Sequence, residues 1–333
     1  PNVGCVIAKD GRVVGEGWHE RAGEAHAEVL AIQSAREPVD GATVYVTLEP
    51  CAHHGRTGPC ADALVKARVA RVVAAIEDPN PEVAGKGFAR LREAGIAVDV
   101  GLMADEAREA HRGFLSRMQR GRPWLRVKAA SSLDGRIALS GGESRWITGE
   151  DARRDVHRFR ARSCAMLTGI GTVIQDDPEL TVRHVPCSRQ PRRVVIDNRL
   201  DMPLTAKIMA GQPLILTVSD DPAKRAALEA KGAEVVRVPG EGKSDLAAVA
   251  KVLGDKGFNE VTAETGGKLM GSLVAAGVVD ELVIYYAGLI LGDRAQALFV
   301  LPEAAKLSEA LRPRIVDVRT LGGDIRVTAR FGG

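Results

Sequence analysis

Four residues between positions 26 and 60 could together bind a metal ion and use it in catalysis: His26, Glu28, Cys51 and Cys60. A catalytic Zn²⁺ takes three protein ligands with nitrogen or sulfur donors and leaves its fourth position to water. His26, Cys51 and Cys60 would supply those ligands. Glu28, two residues after the histidine, would move protons at the bound water. We therefore predict a hydrolytic site with one zinc per chain and Glu28 as its catalytic residue.

The order of these residues is the signature of zinc-dependent nucleobase deaminases, in which H-x-E is followed by P-C-x-x-C. Here a longer insert, residues 52–59, separates the two cysteines. We interpret it as a substrate loop, because it contains donors suited to a phosphate at His53, His54, Arg56 and Thr57. The alternative is that Cys51 and Cys60 are ordinary thiols and that His26 is a surface histidine.

Three segments, Pro1–Gly4, His26–Glu28 and Glu49–Cys60, resemble the bifunctional deaminase–reductases of riboflavin biosynthesis. This resemblance implies an α/β protein with two domains. Residues 1–121 would form a zinc-dependent pyrimidine deaminase domain with the cytidine-deaminase-like three-layer α/β/α fold. Residues 122–333 would form an NADPH-dependent reductase domain with a dihydrofolate-reductase-like α/β fold.

Length and composition agree with a globular protein of two domains. The chain has 333 residues, of which 45% are hydrophobic and 27% are charged. A net charge of +3 without a Lys/Arg block is too weak to indicate nucleic-acid binding. The sequence has no apolar run of membrane-spanning length and no signal peptide, so we expect a cytoplasmic protein that does not bind a membrane. We also expect a homo-oligomer that acts on a small molecule.

Five cysteines at irregular spacing favour reduced thiols and a metal site over a disulfide framework. The chain opens at Pro1 on a strand-like run, and we expect a native segment to precede it.

Strands and helices alternate along the sequence, which predicts layered α/β domains. In the first half we predict a hairpin over residues 3–17, a helix over 25–36 and a helix that begins at Cys60. His26 and Cys60 would then lie at helix N-termini, beyond strand ends. Gly121-Arg122-Pro123 marks the domain boundary. In the second half we predict strands over residues 124–130, 165–169, 193–196, 213–218, 234–238, 260–264, 281–286 and 324–330.

The second half has no G-x-G-x-x-G turn, so a Rossmann domain is not expected. A glycine-rich turn, Glu264–Gly271, does follow a predicted strand and open a helix. Such a turn lets backbone N–H groups approach a pyrophosphate, although taken alone it is more often structural. A second turn of this kind is Gly169–Thr172.

Further segments resemble the reductase half of the same family: Lys128–Arg136, Gly142–Thr148, Asp176–Arg183 and the Glu264–Gly271 turn. The resemblance implies contacts with NADPH at Ala130, Trp146, Thr172, Asp176, Asn198, Gly266, Gly267, Lys268, Leu269, Met270, Gly271 and Ser272. It implies contacts with the substrate at Ser144, Arg160, Leu180, Arg183 and Glu264. The two arginines are also the residues that a phosphoribosyl group needs, although solvated surface arginines are the alternative.

We expect the first domain to deaminate 2,5-diamino-6-ribosylamino-4(3H)-pyrimidinone 5′-phosphate and the second to reduce the ribosyl group to ribityl with NADPH. Lys128 and Glu264 are the ionisable residues expected near the reduction centre, and Arg199 is a hypothetical partner for the 2′-phosphate of NADPH. Two alternatives remain open. A nucleic-acid base deaminase would carry the same zinc residues, but aromatic residues are only 4% of this chain. A zinc-stabilised binding module would close the metal site with a fourth ligand, such as His53 or Cys5.

Overall fold

The structure is a computed structural model that describes residues 1–21, 23–53 and 58–332. The chain divides into two compact units between Arg120 and Gly121, one residue before the boundary that the sequence predicts. Within the described residues, no helix combines the length and the apolar character needed to cross a membrane.

The first unit contains a five-stranded sheet in the order β2-β1-β3-β4-β5. Its hairpin β1–β2 is antiparallel, β1 also pairs antiparallel with β3, and β3, β4 and β5 run parallel. The elements of this unit are β1 (Gly4–Lys9), β2 (Arg12–Trp18), α1 (Ala27–Ser34), β3 (Thr43–Val46), α2 (Cys60–Lys66), β4 (Arg71–Ala74), α3 (Lys86–Glu93), β5 (Ala97–Val100) and α4 (Ala104–Arg120).

Two glycines of β2 let helix α1 lie directly on the sheet. A Cβ at Gly15 would stand 2.3 Å from the carbonyl oxygen of Ala31, and one at Gly17 would stand 2.6 Å from that of Ala27. Only glycine permits so close an approach between backbones. The start of α1, which carries His26 and Glu28, is thereby held against the hairpin.

Two apolar clusters cover the sheet of the first unit. The larger one joins α1, α2 and α3 to the strands, through residues such as Ala31, Leu64 and Leu91. The second joins Phe114 of α4 to Ala75, which follows β4. The predicted α/β class is therefore confirmed, with helices packed on the sheet in separate layers.

The second unit is organised around a nine-stranded sheet in the order β11-β10-β9-β8-β12-β6-β13-β16-β15. The first seven strands in this order, from β11 through β6 to β13, run parallel to one another. The last two, β16 and β15, are antiparallel to their neighbours. The strands are β6 (Trp124–Ser132), β7 (Arg136–Ala138), β8 (Ala165–Gly169), β9 (Arg192–Ile196), β10 (Leu214–Thr217), β11 (Glu234–Arg237), β12 (Glu260–Ala263), β13 (Glu281–Ala287), β14 (Gln296–Ala297), β15 (Arg314–Leu321) and β16 (Asp324–Arg330).

Five helices of this unit connect its strands: α5 (Glu150–Arg162), α6 (Ile170–Asp176), α7 (Pro222–Glu229), α8 (Leu246–Asp255) and α9 (Gly267–Ala275). Two large buried clusters, which contain Val127 and Ile215 respectively, form the core of the unit. The sequence did not predict β7, β14 and β15. β15 is an edge strand whose residues are mostly exposed, and its apolar residues Ile315, Val316 and Val318 do not form the continuous apolar run of a buried strand.

Candidate active sites

Three side chains of the first unit converge on one point. His26 immediately precedes α1, Cys60 is the first residue of α2, and Cys51 lies in the loop after β3. The Nδ1 atom of His26 lies 3.1 Å from the Sγ atom of Cys60 and 3.5 Å from that of Cys51. The three donor atoms all lie within 4.8 Å of one another. Residues distant in sequence thus form a compact cluster with one nitrogen and two sulfur donors.

This cluster fits a catalytic zinc ion. Zn–N and Zn–S bonds of about 2.1 and 2.3 Å in a tetrahedral site place nitrogen and sulfur ligands about 3.6 Å apart. The observed separations of 3.1 and 3.5 Å are close to that value. In the part of the chain that the structure describes, no fourth His, Cys, Asp or Glu joins the cluster, and neither Cys5 nor His53 belongs to it. A set of three ligands suits a catalytic metal better than a structural one.

Electrostatics favour metal binding at this cluster. A hydrogen bond with Cys60 lowers the pKa of Cys51 to about 4, and burial opposes this effect only in part. The Cys51 thiolate in turn raises the pKa of His26 through their hydrogen bond. The same hydrogen bond raises the pKa of Cys60, so without a metal the pair stabilises a thiolate, the form of cysteine that binds metal, at Cys51 only.

Glu28 is the second residue of α1 and is buried, with 3% of its surface exposed. Burial raises the pKa of Glu28 to about 7. A carboxyl group with a pKa near neutrality can both accept and return a proton at physiological pH. Glu28 therefore has the protonation chemistry expected of a proton shuttle.

The insert predicted as a substrate loop is described only in part. Its residues 54–57, which include His54, Arg56 and Thr57, lie outside the described residues.

The second unit contains a cavity of about 520 Å³ at the carboxyl ends of β6, β8 and β12. Arg160 of α5 donates two hydrogen bonds to Glu264, at 2.7 and 2.9 Å, and the Nζ atom of Lys128 lies 3.3 Å from the same carboxylate. Burial alone would raise the pKa of Glu264, but Arg160 and Lys128 outweigh it and hold this pKa well below its usual range. Among the described residues, the cavity is lined by five Lys or Arg side chains and two carboxylates, an excess of positive charge suited to a phosphorylated ligand.

Both units match known proteins. Residues 1–76 match the family model described as cytidine and deoxycytidylate deaminase zinc-binding region, and residues 123–327 match the RibD C-terminal domain. The riboflavin biosynthesis protein RibD of Escherichia coli is 46% identical to this chain, over 98% of this chain and 92% of its own length. The chain belongs to the RibD family.

Solved structures agree with this assignment. RibD of Acinetobacter baumannii, in its form 1, has 44% identity and a TM-score of 0.92, over 99% of this chain and 92% of its own. A diaminohydroxyphosphoribosylaminopyrimidine deaminase/5-amino-6-(5-phosphoribosylamino)uracil reductase from Thermotoga maritima has 31% identity and a TM-score of 0.86, over 98% of this chain and 91% of its own. As a member of the RibD family, the chain is a bifunctional enzyme of riboflavin biosynthesis with a deaminase and a reductase activity.

The cavity described above is lined by most of the residues that the family resemblance assigned to the reductase activity. All five predicted substrate residues do so, together with these predicted cofactor residues: Ala130, Trp146, Thr172, Asp176, Gly266 and Met270. Five other residues of the predicted cofactor turn are not part of the lining: Gly267, Lys268, Leu269, Gly271 and Ser272. His157, which accepts a 3.0 Å hydrogen bond from the backbone N–H of Arg183, is a lining residue that the sequence reasoning missed.

Asn198 and Arg199 lie outside the cavity lining. The Oδ1 atom of Asn198 accepts hydrogen bonds from the backbone N–H and the hydroxyl of Ser244, at 2.9 and 2.7 Å. Arg199 is exposed and forms a 2.9 Å ion pair with Asp201. Asn198 therefore holds the loop before α8, and its predicted contact with NADPH stays a prediction. The same is true of Arg199 as a partner for the 2′-phosphate.

The glycines of the cofactor turn differ in what their missing side chains would meet. A Cβ at Gly267 would stand 2.3 Å from the carbonyl oxygen of Ala297, and one at Gly271 would stand 2.0 Å from that of Val300. A Cβ at Gly266 would meet nothing within 4 Å. Gly267 and Gly271 are thus needed for the packing of α9 on β14 and on the segment that follows it. Gly266 is the position at which a ligand can approach the helix N-terminus.

We expect Gly266→Val to weaken NADPH binding by roughly tenfold or more without unfolding the protein, because the added side chain would fill the approach to α9. Gly267→Ala, as the matched variant, should instead lower the stability of the second unit by about 1–3 kcal/mol, because its Cβ has no room. Fluorescence titration with NADPH and urea unfolding of both variants check this. Equal NADPH affinity in Gly266→Val and wild type would contradict the assignment.

Glu264→Gln should destabilise the second unit at neutral pH by roughly 3–5 kcal/mol, because Lys128 and Arg160 would lose their buried counter-charge. The folded pKa of Glu264 is depressed, so its stabilisation is present above the ordinary value of 4.5 and is lost as the pH falls below it. The difference between wild type and variant should therefore shrink below pH 4.5. Urea unfolding at several pH values measures it, with the exposed Glu241→Gln as control. A difference that does not change with pH would exclude the carboxylate as its source.

Proposed function

We propose that the first unit hydrolytically deaminates 2,5-diamino-6-ribosylamino-4(3H)-pyrimidinone 5′-phosphate at C2 of its ring, and that the second unit reduces the ribosyl group of the product to ribityl with NADPH. The observation that carries this proposal is the presence, in one chain, of an open three-ligand cluster beside Glu28 and of a separate cavity with paired cations. The name of the Thermotoga maritima relative supports the same two reactions.

In the deamination, His26, Cys51 and Cys60 would hold one zinc ion per chain. When bound, zinc would act as the Lewis acid that activates the attacking water. Glu28 accepts the proton of this water and returns it to the departing amino group, which leaves as ammonia. Its burial excludes bulk water from this transfer and keeps the carboxyl near the pKa that the two steps require.

Cys51→Ser should reduce the zinc content well below one ion per chain, because a serine hydroxyl is a poor substitute for a thiolate ligand. The half-buried Cys187→Ser, outside the cluster, should leave the zinc content unchanged. Elemental analysis of freshly purified protein measures both. Wild-type protein without stoichiometric zinc, or Cys51→Ser protein with a full complement, would contradict the ligand set.

In the reduction, the residues of the cavity bind and orient both ligands. Arg160 and Arg183 offer guanidinium groups to the phosphate of the substrate. When bound, NADPH would supply the hydride that C1′ of the substrate receives as the bond from C1′ to the ring oxygen O4′ breaks. Lys128 is placed to donate the proton that O4′ needs, since it lines the cavity and its Nζ atom donates a hydrogen bond to Glu264.

We further propose that the two activities belong to residues 1–121 and 122–333 respectively, since the metal ligands precede that boundary and the cavity residues follow it. The protein acts on a small molecule, and we propose that it does so in the cytoplasm as a homo-oligomer, without nucleic acid or a membrane. Light scattering coupled to size-exclusion chromatography measures the oligomeric state, and a monomer at working concentration would contradict that part.

The test of the proposed function is to incubate zinc-loaded protein with the diaminopyrimidine phosphate, with and without NADPH. Mass spectrometry should show exchange of an amino group for oxygen in both reactions. It should show the further addition of two hydrogens only with NADPH. Deamination of single-stranded DNA or RNA, without conversion of the phosphate substrate, would favour the nucleic-acid base deaminase instead.

A further inference from the structure

Glu49 has a buried carboxylate, with 4% of its surface exposed, that accepts four backbone hydrogen bonds from one segment. Its Oε2 atom accepts from the N–H groups of Asp78 and Gly85, at 3.2 and 3.0 Å. Its Oε1 atom accepts from those of Gly87 and Phe88, at 2.9 and 3.3 Å. Both oxygens of a buried anion are therefore satisfied by the main chain of residues 78–88.

Three of these donors belong to the N-terminus of α3. The first N–H groups of a helix have no partner within the helix, and a neighbouring side chain usually caps them. Here the N-cap residue is Gly85, in the left-handed region with φ 77°, and it has no side chain to do so. Glu49 takes this role from a distant position in the sequence, and its charge is favourable at the positive end of the helix dipole.

Glu49 is also close in sequence to the proposed metal cluster. Glu49 is followed by Pro50 and then by Cys51, the proposed zinc ligand. A Cβ at Gly87 would stand 1.9 Å from the carbonyl oxygen of Pro50, so α3 touches the backbone of this turn directly. The turn that carries Cys51 is thus fastened to α3 on one side by the Glu49 carboxylate and on the other by a backbone contact that only glycine permits.

We propose that Glu49 is a positioning residue for the metal centre: by joining the N-terminus of α3 to the Pro50–Cys51 turn, it holds the Cys51 sulfur at its place in the three-ligand set. This inference rests on the proposed zinc site. Residues that orient metal ligands without touching the metal typically change metal affinity by about 10–100-fold when replaced. Glutamine cannot replace Glu49, because it has a single acceptor oxygen and its amide N–H₂ would face two backbone donors.

The experiment compares wild type, Glu49→Gln, Glu49→Asp and the control Glu93→Gln, which changes an exposed carboxylate at the other end of α3. In Glu49→Gln, the amides of Gly85, Gly87 and Phe88 should exchange with solvent about ten times faster. Zinc affinity, measured by chelator competition, should fall by about tenfold or more. The visible absorption of the Co²⁺-loaded protein, which reports ligand geometry, should shift. Glu93→Gln should match wild type in all three measurements.

The amides of β4 report whether the first unit stays folded. If Glu49→Gln loses their protection, Glu49→Asp is used instead, since it keeps the charge with a shorter reach; an intermediate loss of zinc affinity supports the proposal. Wild-type zinc affinity and an unchanged Co²⁺ spectrum in the folded variant would overturn it and restrict Glu49 to capping α3. That outcome would leave the proposed function intact, whereas wild-type protein that binds no zinc at this cluster would overturn both the proposed function and this inference.

Discussion

Glu28→Gln should lower the rate of deamination by about 10²–10⁴-fold, the usual contribution of a general acid/base. The amide has nearly the same shape as the carboxyl group but cannot take the proton of the attacking water. Zinc content should stay at the wild-type level, because Glu28 is not a member of the three-ligand cluster. Initial rates on the diaminopyrimidine phosphate, together with elemental analysis, measure both quantities.

Two controls accompany this variant. Glu16→Gln changes an exposed carboxylate on β2 and should deaminate at the wild-type rate. Glu28→Gln protein supplied directly with the aminouracil phosphate and NADPH should still reduce it. Substantial residual deamination would mean that another group moves the proton. Loss of reduction as complete as the loss of deamination would mean that the two activities do not belong to separate units.

Lys128→Met should lower the rate of reduction by about 10²–10⁴-fold, because the reaction would lose the donor of the O4′ proton. Glu264 would keep its two hydrogen bonds from Arg160, so the variant leaves no buried charge without a partner. NADPH binding and deamination should therefore stay at wild-type levels. Steady-state reduction of the aminouracil phosphate and a fluorescence titration with NADPH measure these effects.

Lys128→Arg separates proton donation from charge. Arginine keeps the positive charge beside Glu264 but does not release a proton at ordinary pH. The Lys128→Arg variant should therefore catalyse the reduction as slowly as Lys128→Met. Lys231→Met, an exposed position outside the cavity, serves as the control. Restoration of the rate by arginine would show that Lys128 acts only through its charge. An unchanged rate in Lys128→Met would remove it from the mechanism.

Several features could be read from the sequence because they depend on local residue types. A strand or a helix has its own apolar period, so the alternation of elements and most of the strands of both sheets were predictable. Zinc selects nitrogen and sulfur donors, so His26, Cys51 and Cys60 could be named as a set before they were known to be close. The strand–turn–helix pattern around Gly266 was also recognisable, because it depends on residue types within a short segment.

Other features depend on where a side chain points and on contacts between distant residues. Gly266 and Gly267 could not be told apart from the sequence. The structure shows that Gly266 lines the cavity, whereas a Cβ at Gly267 would meet the backbone of Ala297. The edge strand β15 exposes even its apolar residues Ile315, Val316 and Val318, so it is defined by its pairing with β16 and not by burial.

Residue types and their short-range spacing were therefore enough to predict which chemical groups this protein possesses and which elements carry them. Which charged groups contact one another could be seen only in the folded chain. Folding placed Lys128 and Arg160 on one carboxylate, and it brought the N-terminus of α3 to the carboxylate of Glu49. The physical reason is that hydrogen bonds and ion pairs depend on distances of a few ångströms between residues that the chain brings together only when the sheets form.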